Sequence, residues 1–227
     1  MVQALLSAGA NVHFARSDGE TACIVASKNG HVDIVDDLIA AGASVNYVVA
    51  INGFSSLLYA CHNGHTTTAS ALIEAGAKIA HANNVGATSL IAASERGHTS
   101  IVNALLVAGA NVNHAVHNGI SSLMICSANG HTGTVKQLIA AGANINHTDN
   151  MGSTSIMCAA ESGHSEAVSI LVTAGANALH VSNNGSTALS LAIANNRHEC
   201  IAILQALHAH AAAEPAVQSH VVAAAAE

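Results

Sequence analysis

GHTSIVNALLVAGANVN, residues 97–113, decides how the chain folds, because near-copies of it recur along the sequence. Its Gly97-His98 opening reappears as Gly30-His31, Gly64-His65, Gly130-His131 and Gly163-His164. Its Gly109-Ala110 closing reappears as Gly9-Ala10, Gly42-Ala43, Gly76-Ala77, Gly142-Ala143 and Gly175-Ala176. The steps are 33 residues, apart from one of 34. A third marker keeps the same phase: Gly19, Gly53, Gly86, Gly119, Gly152 and Gly185, each followed two residues later by Thr or Ser. Three glycine markers in fixed register make this a repeat protein, so its 227 residues count as copies of one supersecondary unit.

Within each unit a turn-forming cluster leads to Thr or Ser and then to a short run of helix-compatible residues, as in Thr88 to Arg96. The hydroxyl residue predicts an N-cap, with its side chain accepting from orphan backbone N–H groups. Gly97 ends that first helix, since glycine takes the left-handed conformation just past a C-cap. A second helix follows, with apolar pairs four apart: Ile101-Val102 and Leu105-Leu106, echoed by Ile34-Val35 with Leu38-Ile39. That spacing makes a single apolar stripe. The polar segment from Gly109 to Gly119 predicts an extended, hairpin-like turn. One pair of helices cannot bury its own apolar faces, but a stack of pairs does.

The pattern GxTxLxxAxxxGHxxIVxxLLxAGAxVN resembles the ankyrin repeat over roughly residues 1–207. The resemblance implies an all-α, ankyrin-type helical repeat solenoid with short β-turn fingers, each unit an L of two antiparallel helices and a projecting finger. Aligned on the glycines, the chain divides into a partial N-terminal repeat at 1–15 and full repeats at 16–49, 50–82, 83–115, 116–148 and 149–181. A C-terminal capping repeat at 182–210 and an alanine-rich tail at 211–227 complete it. With helices packed about 8–10 Å apart, six units would be ~50–60 Å long. The family's Thr-Pro-Leu-His is altered in every copy, for example to Thr88-Ser89-Leu90-Ile91, exchanging a polar contact between repeats for apolar burial.

The two ends differ. Toward the C-terminus the markers decay, with Asn196-Arg197 in place of Gly-His, Gln205 at an apolar position and His208 in place of Gly, as suits a wetter outer face. From Ala209 the sequence predicts frayed helix or disorder. Met1-Val2 and Leu5-Leu6 match Ile101-Val102 and Leu105-Leu106, so the chain opens inside a second helix whose apolar side lacks a cover. That points to a fragment, or to a reading frame with further repeats upstream.

Composition narrows the function. Hydrophobic residues make up 51% but aromatics only 2%, which suits a thin core two helices deep. Six Lys and Arg, scattered from Arg16 to Arg197, form no basic stripe, so nucleic acid is not an expected partner. A net charge of -7 disfavours anionic membrane surfaces, and no apolar run approaches bilayer length. Five cysteines without a CxxC pair read as reduced core thiols, which places the chain in a reducing compartment, the cytoplasm, with the nucleus also open to it.

Of the sixteen histidines, nine fall into two registers. His31, His65, His98, His131 and His164 follow the helix-breaking glycine, where the ring is expected to bond backbone near the start of the second helix. His81, His114, His147 and His180 form a ladder along one side, completed upstream by Phe14 and Tyr47. Zinc ligands converge to about 2.0–2.1 Å from one ion, whereas equivalent side chains of neighbouring repeats stand ~8–10 Å apart. No metal and no cofactor is therefore expected. Buried neutral histidines would lower the melting temperature at pH 5 relative to pH 7.5. No GxSxG, P-loop, HExxH or GxGxxG context occurs, and the repeat offers no deep pocket for a small-molecule substrate, so an enzyme is not expected.

What varies while the pattern stays fixed lies on the finger tips and at the exposed end of the first helix. Large apolar groups on turns are out of place for folding alone. By resemblance, both sets line the concave face through which ankyrin repeats bind other proteins. The candidate partner-binding residues are Ile51, Asn52, Phe54, His62, Val85, Glu95, Arg96, His117, Ile120, Met151 and Glu161. The extra residue of the 34-residue step lies within Tyr47 to Asn52 and would lengthen the finger before Phe54. The expected role is non-catalytic protein recognition, as a scaffold or adaptor module; the alternatives are a regulatory region of a larger enzyme or channel, or an architectural spacer.

Overall fold

The computed structural model describes residues 1–213, with side chains to residue 209, and among them thirteen helices stand in two rows. The first row holds α2 (Ala22–Lys28), α4 (Ser56–Asn63), α6 (Ser89–Glu95), α8 (Ser122–Ala128), α10 (Ser155–Ser162) and α12 (Ala188–Ala194). The second holds α1 (Val2–Ser7), α3 (Val32–Ala40), α5 (Thr66–Glu74), α7 (Thr99–Val107), α9 (Thr132–Ala140), α11 (Ser165–Thr173) and α13 (His198–Ala213). Each helix after α1 packs on its partner within the unit, and interior helices pack also on their equivalents in the units before and after. The result is the two-row helical solenoid that the glycine register predicts.

Burial explains why the rows differ in sequence. First-row helices are enclosed on most sides: Leu57, Leu58, Ala60 and Cys61 in α4, and all of Ser89 to Ser94 in α6, are buried. Small residues dominate there because another helix row and the fingers press close. Second-row helices bury one stripe only, Ile101, Val102 and Leu105 in α7, while Val107 faces solvent.

The caps follow the sequence with exceptions. Thr21, Ser55, Ser121 and Thr187 accept from the backbone N–H three residues on, and Thr187 with Ser190 closes a capping box. Thr88 and Thr154 occupy the same N-cap position, yet their hydroxyls are buried without a partner. Gly97 has φ +70°, the left-handed turn predicted for it.

The first histidine register works differently from the expectation. Three of the five rings reach back across the repeat boundary: Nε2 of His65, His98 and His131 donates to the carbonyls of Lys28, His62 and Glu95, at 3.0, 3.3 and 2.9 Å. Those carbonyls lie in the last turn of the preceding first-row helix, where no intrahelical donor reaches them. The glycine of the preceding unit makes room, since a Cβ on Gly97 would stand 2.6 Å from His131 Nδ1. Arg197, read from sequence as a decayed marker, fills the same slot, its Nε donating to the Glu161 carbonyl at 3.0 Å.

At the N-terminal end α1 has no buried residue, and Met1 and Leu5 are exposed. At the other end, among the side chains described to residue 209, α12 and α13 bury the hydrophobic residues Ala188, Ala192, Cys200 and Leu204. The helix continues to Ala213, so the segment from Ala209 begins as regular helix rather than frayed chain, and the remainder of the alanine-rich tail lies outside the described residues.

Candidate protein-binding face

The fingers are built from Asx turns, in which a carboxamide or carboxylate oxygen accepts the backbone N–H two residues on. Asn52 accepts from Phe54, Asn83 from Val85 and Ala87, Asn118 from Ile120, and Asp149 from Met151 and Ser153. Antiparallel bridges close five of them: Ala15 with Thr21, Val48 with Ser55, Ala82 with Thr88, Ala115 with Ser121 and Thr148 with Thr154. The second joins residues seven apart and the third residues six apart, so the extra residue does lengthen the finger that carries Phe54.

Neighbouring fingers are tied together through backbone. Asn84, His117, Asn150 and Asn183 donate their N–H to Asn52, Val85, Asn118 and Met151 carbonyls. The second histidine register adds a bond per unit: Nε2 of His81, His114, His147 and His180 donates to Gly53, Gly86, Gly119 and Gly152 carbonyls at 2.7–2.9 Å. A carbonyl only accepts, so Nε2 carries the proton, and it does so in the neutral and the cationic ring alike. The ladder is a row of finger-to-finger struts.

The finger backbone is thus satisfied without the tip side chains. Ile51 is 81% exposed, Val85 61% and Met151 65%, each projecting from a turn that its Asx bond already holds. Phe54 and Asn52 behave otherwise. Phe54 packs on Tyr59 with ring centroids 4.7 Å apart and meets His62 edge-on at 6.3 Å, while Asn52 Nδ2 donates to the Tyr59 hydroxyl. Lys28 Nζ sits 5.2 Å from the Tyr59 ring and pairs with Glu20. Tyr59 was not among the candidates; it stands where the other units have Val25, Ala92, Ile125, Cys158 and Leu191, and its being the only aromatic in that column was a readable signal.

Between the fingers of the third and fourth full repeats a groove of about 440 Å³ is lined by Val85, Ile91, Val116, Ile120 and Ile125, with Glu95 and His117 at its margins. Glu95 also borders a polar hollow shared with Arg96, Asn129 and His131. The structure therefore brings Val85, Glu95, His117 and Ile120 around one groove, and Phe54, His62 and Arg96 into one cluster beside it. Ile51, exposed on the same finger as Phe54, stands apart from both, as do Met151 and Glu161 in the fifth full repeat.

The titration of His62 is displaced. Burial, then the neighbouring Arg96 guanidinium, holds it below its ordinary value. Arg96 Nη2 lies 3.2 Å from His62 Nε2, and because guanidinium only donates, that ring nitrogen must be unprotonated. Glu95 opposes the shift and His98 adds to it. The neutral ring belongs to the folded state, so its stabilising contribution is complete above the unfolded value near 6.5 and is lost as pH falls below it. His62 is thus a source of the expected acid loss of melting temperature. Thermal melts at pH 7.5 and 5.0 check this: the drop should shrink in His62→Gln, and an undiminished drop would place its origin elsewhere.

Three thiols are poorly suited to nucleophilic chemistry. Burial pushes Cys61 and Cys126 up to about 12, and Cys158 likewise. No helix among the described residues is long and apolar enough to cross a membrane.

No curated protein matches the chain. The family model for ankyrin repeats matches in three copies, over residues 1–82, 42–116 and 123–215. Paired helices, left-handed glycines, bridged fingers and a family match along nearly the whole sequence agree: the chain belongs to the ankyrin repeat family.

Proposed function

We propose that the chain is a non-catalytic protein-recognition module, a scaffold or adaptor, that holds a protein partner against its concave face. Members of this family serve in general as protein interaction modules. The observation that carries the reading is the exposure of Ile51, Val85 and Met151 on turns whose backbone bonding is complete without them. Exposed apolar anchors in one row suit an interface centre. The five cysteines are free and four are buried, which fits a reducing cytoplasmic setting.

The test is a comparison of baits. Ile51→Ser/Val85→Ser/Met151→Ser should melt within about 1–2 kcal/mol of the parent chain, since surface changes away from packing or bonding features cost little. The same variant should lose the partner that the parent captures from a lysate of its native source. Equal capture by both would remove the fingers from the recognition surface, and nothing above background with the parent would favour a spacer.

A further inference from the structure

The end of each first-row helix presents one equivalent position to the concave face: Lys28, His62, Glu95, Ala128, Glu161 and Ala194. Its spacing is pinned, because the backbone carbonyls of Lys28, His62, Glu95 and Glu161 each accept from the next repeat. The charges along this column are not equivalent. Lys28 is already neutralised by Glu20 at 2.9 Å. His62 is a neutral acceptor, and Arg96 is turned back onto it, toward the N-terminal repeats. The carboxylates of Glu95 and Glu161, by contrast, form no ion pair among the described residues, whose three ion pairs are Arg16–Asp18, Lys28–Glu20 and Lys136–Glu166, and the nearby Arg96 and Arg197 are directed to His62 and to the Glu161 backbone carbonyl.

Two unpaired carboxylates therefore sit two repeats apart, ~16–20 Å by helix spacing, with only Ala128 between them in the column. The apolar groove of Val85 and Ile120 opens beside the first of them. Resting on the concave-face reading above, we propose that the partner segment is basic and hydrophobic: an aliphatic side chain fills the groove, and two Lys or Arg side chains meet Glu95 and Glu161. An extended segment covers that span in about five or six residues at ~3.3 Å each, a helix in about eleven to thirteen at ~1.5 Å each. The net charge of -7 attracts such a segment over distance. Cation contacts on an open face are screened by salt, which gives the complex a signature that a purely apolar one lacks.

A phage-displayed library of random 16-residue peptides, panned on the full chain at low salt, tests this. Enriched peptides should carry an aliphatic residue and at least two Lys or Arg. A fluorescently labelled enriched peptide should bind Glu95→Gln/Glu161→Gln at least tenfold more weakly, and the parent chain should lose a similar factor between 50 and 300 mM NaCl. Glu161→Gln alone, at an exposed carboxylate free of fold duties, should show part of the loss with an unchanged melt. Peptides that lose binding to Val85→Asp but ignore both glutamate changes would overturn the charge inference and leave the concave-face reading standing. Enriched peptides indifferent to Val85→Asp as well, or no enrichment at all, would overturn both.

Discussion

Gly97→Ala is expected to cost about 2–4 kcal/mol, whereas Gly109→Ala, at a glycine of similar backbone, is expected to cost about 1–2 kcal/mol. Both residues are left-handed, at φ +70° and +88°, so both substitutions carry the penalty of placing a Cβ there. Only at Gly97 is the space already taken. The new methyl would lie 2.6 Å from Nδ1 and 2.7 Å from Cγ of His131, whose ring cannot swing aside without releasing the Glu95 carbonyl. At Gly109 nothing lies within 4 Å. Urea denaturation of the two variants beside the parent reads the difference, and equal losses would mean that the histidine slot has slack.

Leu105→Ala is expected to cost about 3–4 kcal/mol, the usual range for emptying a sealed leucine site. Leu105 is fully buried in α7, whose second-row neighbours are α5 and α9. In a solenoid, stability is a sum of unit terms and nearest-neighbour interfaces, so weakening a central interface uncouples the two ends. The parent chain should melt in one transition and the variant in two, with calorimetric enthalpy exceeding the van't Hoff value. A single transition merely shifted downward would show that coupling does not pass through this interface.

The sequence carried the architecture because its signals are local and repeated. Gly97, Gly109 and Gly119 each mark a left-handed residue, and a chain that needs the same backbone turn at every unit must spell it with glycine every time. The stripe of Ile101, Val102 and Leu105 was legible for the same reason. What could not be read was contact across the repeat boundary. His131 is 36 residues from the carbonyl it caps, and no pattern within a unit distinguishes that partner from a nearer one. Arg197 taking over the role shows that the slot asks for an N–H on a flat group rather than for histidine.

The candidate face was legible only in part. Val85, Ile51 and Met151 stood out as apolar residues on turns, and they are indeed exposed. Phe54 gave the same signal but is engaged by Tyr59 and His62, a matter of side-chain direction that composition does not encode. Ile91 and Ile125, which floor the groove, looked like ordinary helix residues because they belong both to the frame and to the surface.

The proposed function requires that the frame be self-sufficient and the concave face be left free for a protein partner. Amide hydrogen exchange of the chain, alone and with the captured partner bound, tests it most directly. Slower exchange in the complex is expected at finger residues 83–87 and 116–120 and at the ends of α6 and α8, with α7 and α9 unchanged. Protection confined to α7 and α9, on the opposite row, would contradict it.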